Sequence, residues 1–162
     1  MMKIEEAIKQ KTPFRSEKQR AAVNLIYTHN WLIAQQKAFF RRFDITLQQY
    51  NVLRILRGQY PDPISTSDIR SRMLDKMSDV SRIVDRLVKK KLVERRVCKS
   101  DKRLVDVLIT ANGLSLLDEI SGLEDELERA FGALTVEEVE QFNLMLDKLR
   151  SAQESEEDCD SQ

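Results

Sequence analysis

The stretch SDVSRIVDRLVKKKLVERRVCKSDKRLVDVLIT, residues 78–110, decides the fold, because its hydrophobic period changes from 3.6 to 2 midway. Val80, Ile83, Val84, Leu87 and Val88 fall at i, i+3, i+4, i+7 and i+8, one stripe of an α-helix that is expected to be buried. The opposite face collects Ser78, Arg82, Asp85, Arg86 and Lys89, with Asp79 and Ser81 on its flanks. After Lys89-Lys90-Lys91, Val93, Arg95 and Val97 alternate with Glu94 and Arg96. Val105, Val107 and Ile109 then alternate with Leu104, Asp106 and Leu108. Two strands are therefore expected around the polar loop 98–103. Between residues 82 and 103 ten Lys or Arg face three Asp or Glu, a local net of +7, the natural complement of a phosphate backbone.

Upstream, Ser65-Thr66-Ser67-Asp68 supplies capping hydroxyls and an acidic first turn, and Ile69, Met73 and Leu74 read as a short helix. With Asp75 to Ser78 as the turn, the two helices form a helix-turn-helix, and the hairpin makes it a winged one. Residues 1–16 form a polar arm containing Pro13. Residues 17–43 carry apolar groups without Gly or Pro and read as one long helix. Thr46 to Gln59 reads as a second, closed by Gly58 and Tyr60-Pro61-Asp62-Pro63. Downstream, Thr110 caps a fifth helix carrying Leu116, Ile120, Leu123, Leu127 and Phe131. Thr135-Val136-Glu137-Glu138 is a capping box that opens a sixth, with Val139, Phe142, Leu146 and Leu149. These outer stripes need a partner surface.

A chain of 162 residues with 41% hydrophobic content suits one compact domain with helical extensions. Its net charge of zero conceals segregation. Acidic groups gather at Asp118, Glu119, Glu124, Asp125, Glu126 and Glu128, and again in the tail at Glu154, Glu156, Glu157, Asp158 and Asp160. The two cysteines, Cys98 and Cys159, have no metal-ligand spacing, and a reducing compartment is expected. No apolar run approaches the ~18 residues of a membrane span, and the N-terminus lacks a signal-peptide core. A cytoplasmic protein without membrane, metal or cofactor is therefore expected. His29 is the sole histidine and there is no Gly-x-Ser-x-Gly turn, which argues against an enzyme.

With this order of elements the sequence resembles the MarR family of bacterial transcriptional regulators, from about Val23 to Leu149. The segments that carry the likeness are Ile45 to Leu53, Val80 to Leu87, Leu92 to Arg95, and Ser100-Asp101-Lys102-Arg103 followed by Leu108-Ile109-Thr110-Ala111-Asn112-Gly113. The resemblance implies a mainly α fold with a small β-hairpin wing, and a homodimer whose winged helix-turn-helices each read half of a pseudo-palindromic site on double-stranded DNA. It implies a helical dimerisation region over 17–44 and 111–150 and a DNA-binding domain over 45–110; composition adds a polar arm over 1–16 and, with almost no apolar residues, a disordered acidic tail over 151–162. The resemblance places Ser78, Asp79, Ser81, Arg82 and Arg86 toward the major groove and Arg103 in the minor groove. Lys99 and Lys102 fall to phosphates, and Asp101 braces an arginine. Arg82, Arg86 and Lys89, which alone would read as a solvated face, become DNA contacts in this setting.

Two positions depart from the family pattern. Lys91 stands where a glycine is usual, so it must adopt a left-handed conformation or end the helix differently. Asp79 replaces a small hydroxyl residue, and a carboxylate there can accept a hydrogen bond from cytosine N4. Tyr27, His29 and Trp31 lie where the family often has a small-molecule effector pocket, with an interface aromatic cluster as the alternative. Cys98, beside Arg96 and Lys99, is either an inert wing cysteine or a thiol with redox sensitivity. The rival to a repressor relieved by a ligand is a winged-helix interaction scaffold that uses its acidic helix and tail.

Overall fold

The computed structural model describes residues 2–97 and 105–157. The chain divides into two compact units, residues 1–123 and 124–162. In the first, α1 (Ile4–Ala7) is followed by α2 (Glu17–Arg41), α3 (Leu47–Arg57), β1 (Ile64–Ser65), α4 (Thr66–Arg72), α5 (Val80–Lys89), β2 (Val93–Val97), β3 (Val105–Ile109) and α6 (Ala111–Ser121). Hydroxyl caps set the starts of α2, α3, α4 and α6. Ser16 accepts from the Gln19 N–H, and Thr46 and Gln49 close a reciprocal capping box at α3. Ser65 accepts from the Asp68 N–H at 3.1 Å, as the sequence anticipates for α4.

The three strands form an antiparallel sheet in the order β1-β3-β2. Val93 pairs with Ile109 and Arg95 with Val107, which gives the expected hairpin. Ile64 and Ser65 add a short third strand, opposite Val107 and Asp106, that the sequence reading lacked. The core of this unit joins Val52, Leu53 and Leu56 of α3 to Ile69, Met73, Val80, Val84 and Leu87. Val107, Ile109, Leu117 and Ile120 complete it, all essentially without solvent contact.

Three helix assignments are corrected. First, α4 stops at Arg72. Met73 turns extended and stays in the core, while Leu74, expected to share the apolar stripe, is exposed because its N–H leaves the helix for Asn51 Oδ1 at 2.9 Å. Second, Val88 is exposed on α5, so the buried stripe is Val80, Val84 and Leu87 with Ile83 half-buried. Third, the fifth helix does not run to Phe131. It ends at Ser121 with Gly122 as its C-cap, and Leu117 rather than Leu116 is its buried anchor. Gly122 has no side chain to hold it helical, and the Leu123 N–H bonds Ile120 O in a tightened last turn.

In the second unit α7 (Glu124–Glu128) leads through a short 3₁₀ turn at Arg129–Phe131 to α8 (Val136–Glu157). The Thr135 and Glu138 side chains bond each other's N–H groups, the expected capping box. Its own N–H and the Thr135 hydroxyl hold the Glu137 carboxyl below the ordinary glutamate value. The helix continues through Glu157, where a disordered tail was expected from 151, since residues 151–157 contain neither Gly nor Pro to stop it. Cys159, Asp160 and the rest of 158–162 lie outside the described residues.

Candidate nucleic-acid interface

The recognition geometry begins with Asp79, which is not part of a helix face but the N-cap of α5. One carboxylate oxygen accepts the Arg82 N–H at 3.1 Å and the other pairs with Arg82 Nε at 3.1 Å. The carboxylate expected to read cytosine therefore already serves the helix and its arginine. Ser78 is half-buried and donates its hydroxyl to Asp75 Oδ2 at 2.9 Å. Ser81, Arg82, Arg86 and Lys89 all project to solvent from the face opposite the core stripe.

The far end of α5 is fixed by three devices. The Lys91 N–H bonds Val88 O and the Leu92 N–H bonds Leu87 O, a Schellman ending, and Lys91 has φ 60°. Of the two outcomes open to this lysine, the structure takes the left-handed one. Lys90 Nζ pairs with Asp44 Oδ2 at 2.6 Å, which ties the end of α5 to the link between α2 and α3. The Thr110 hydroxyl donates to Lys91 O at 2.8 Å and accepts from the Gly113 N–H at 3.2 Å, which joins α5 to the start of α6. A Cβ on Gly113 would lie 2.3 Å from Leu92 O, so the Thr-x-x-Gly spacing has a steric cause.

The count of ten cations overstates what a ligand meets. Arg95 pairs with Asp85 at 2.6 Å and so hooks β2 to α5, and Arg96 pairs with Glu94. Arg86, Lys89 and Lys91 are exposed with no carboxylate partner among the described residues. Lys99, Asp101, Lys102 and Arg103, with Cys98, lie outside the described residues.

Two features of the surface were not found from the sequence. Lys37 and Arg41, one turn apart on α2, join Arg86, Lys89 and Lys90 around a cavity of about 620 Å³ at the start of α3. A second cleft, of about 540 Å³, is lined by Thr66, Ser67, Arg70, Ser71 and Lys76. The i, i+4 spacing of Lys37 and Arg41 was the available signal for the first.

A family model described as the MarR family matches residues 43–104. A crystal structure of a MarR transcription factor from Planctomyces limnophilus is 31% identical, with a TM-score of 0.65, over 83% of this chain and 98% of that one. The chain belongs to the MarR family. The HTH-type transcriptional repressor IacR of Pseudomonas putida is 29% identical over 128 residues, 78% of this chain and 72% of that protein. The S. aureus MepR–DNA complex superposes with a TM-score of 0.70 at 26% identity, over 82% of this chain and 96% of that one. Like its family, this MarR-type chain is a DNA-binding transcriptional regulator with a winged-helix fold.

The effector-pocket residues fare differently in this MarR-family protein. Tyr27, His29 and Trp31 are all exposed on α2 and do not line either cavity described above. Tyr27 and Trp31 share a helix face, whereas His29 lies ~200° round from Tyr27, so the three do not converge. Among the described residues no helix is long and apolar enough to cross a membrane.

Proposed function

We propose that this MarR-family chain is a homodimeric, cytoplasmic repressor that occludes a pseudo-palindromic operator with half-sites about one helical turn apart. The observation that carries the reading is α5: its core face is fully used, its ends are braced, and Ser81, Arg82, Arg86 and Lys89 remain on its free face. In this reading those four residues meet base edges and phosphates in the major groove, with Ser78 and Asp79 positioning the helix start. Arg103 enters the minor groove, Lys99 and Lys102 meet phosphates, and Asp101 braces the wing. IacR is named a repressor, which supports that direction of regulation.

Partner surfaces for the dimer are the apolar groups left exposed on α2 (Ile26, Tyr27 and Trp31) and on α8 (Leu144, Met145 and Leu149). Relief of repression is assigned to a small anionic effector in the cavity around Lys37, Arg41, Arg86 and Lys89, because there it competes with DNA for two of the reading cations. No observation favours an interaction scaffold.

Fluorescence anisotropy of the purified protein on random duplex and on a selection-enriched pool, each at two salt concentrations, tests the core of the reading. Tight binding to a symmetric enriched site, falling steeply with salt, is expected. Arg103→Ala should weaken it by roughly 1 to 3 kcal/mol, and Lys99→Ala should lower the salt slope by about one. No binding at low salt overturns the proposal.

A further inference from the structure

Leu74 and Met77 are 83% and 93% exposed, the highest values for large apolar side chains among the described residues. Both stand in the turn between α4 and α5, close in sequence to Ser78. The turn is not loose. Leu74 N–H is held by Asn51 Oδ1 at 2.9 Å, Met77 N–H by Asp75 Oδ1 at 3.0 Å, and the Ser78 hydroxyl by Asp75 Oδ2 at 2.9 Å. The hydrogen bonds thus fix the backbone in a form that sends two large apolar groups into water, where burial in the adjacent core would have been favourable.

Hydroxyl and cationic residues flank them in the chain. On the α4 side lies the cleft lined by Thr66, Ser67, Arg70, Ser71 and Lys76, and on the α5 side stand Arg82 and Arg86. Hydroxyls and cations suit the sugar–phosphate backbone, but Leu74 and Met77, which stand between them in the chain, do not. The one strongly apolar group that the major groove displays is the C5-methyl of thymine. We propose that Leu74 and Met77 are specificity residues that contact thymine methyl groups at the start of each half-site, and so add a preference for A·T pairs to the polar reading by α5. The proposal rests on the DNA-binding reading above.

The test uses the full chain and a duplex enriched from a random pool, remade with deoxyuridine in place of thymidine one position at a time. Uracil keeps every hydrogen-bonding group and lacks only the methyl, so removing a methyl that the protein touches should weaken wild-type binding about fourfold. Met77→Ala and Leu74→Ala should each bind thymine and uracil duplexes equally at the position it serves, with unchanged thermal unfolding because both side chains are exposed. Met77→Leu should retain the thymine preference. Sequence-specific binding that is indifferent to uracil at every position overturns this proposal and leaves the DNA-binding reading intact. So does a thymine preference that survives both alanine variants, or an alanine variant that alters the oligomeric state in place of the preference. Failure to enrich any duplex overturns both.

Discussion

Lys91 and Gly113 show how single residues carry the geometry of the reading head. At Lys91 the chain ends α5 with a left-handed residue that bears a side chain, at a cost of about 1 kcal/mol. Lys91→Gly is expected to raise unfolding free energy by about that amount in a urea titration, with little change in slope. Gly113→Ala is expected to lower it by about 1 to 3 kcal/mol, since the new Cβ would meet backbone at Leu92 as well as Ile109 Cγ1 at 2.7 Å. A change within about 0.5 kcal/mol, what an ordinary surface substitution gives, would show that the α6 start is free to shift. Asp79 separates two roles. As an N-cap its loss in Asp79→Ala should cost about 1 kcal/mol, while Asp79→Ser should restore stability and leave the enriched operator unchanged. A changed base preference in the serine variant would return the residue to base reading. The sequence revealed Lys91 as a departure and Asp79 as unusual, but whether Asp79 caps or reads depends on Arg82 folding back on it, which no spacing specifies.

At the scale of elements, what was legible follows from local physics. Caps at Thr46, Ser65, Thr110 and Thr135 sit where hydroxyls precede apolar periods, and the two wing strands follow their alternation. What was missed is nonlocal. Ile64 and Ser65 become a strand only because β3 lies beside them, and two residues after a proline carry no signal of that. Leu74 leaves the core because Asn51, distant in sequence, takes its N–H. The charge count was legible but its availability was not, because pairing across α5 and β2 depends on the fold. Asp85→Asn should therefore release Arg95, steepening the decline of log affinity with log salt by about one unit while changing stability by less than ~1 kcal/mol. An unchanged salt slope would mean that Arg95 points away from phosphate even when unpaired.

For the whole molecule, α2 and α8 each leave apolar groups in water, which the proposed dimer would cover. Met145 and Leu149 lie one turn apart on α8, each with most of its surface in water. Met145→Glu with Leu149→Glu is expected to convert a dimer into a monomer in sedimentation equilibrium, and to weaken binding to a symmetric site more than tenfold. The wild-type melting temperature should rise with protein concentration and that of the variant should not. A wild-type monomer at micromolar concentration would assign those faces to some other partner.

The short strand β1 has a consequence for how the reading head opens. Ser65 is both a rung of the sheet beside Asp106 and the residue whose hydroxyl holds the first turn of α4. A fluctuation that detaches it from β3 also uncaps α4, and a fluctuation that unwinds the start of α4 also strips one edge of β3. Backbone amides at the base of the wing and at the start of α4 should therefore exchange with solvent as one cooperative unit, with a single opening free energy. DNA should then meet a head that is either whole or locally unfolded, with no lasting intermediate in which β2 and β3 stay paired and the helix pair has slipped.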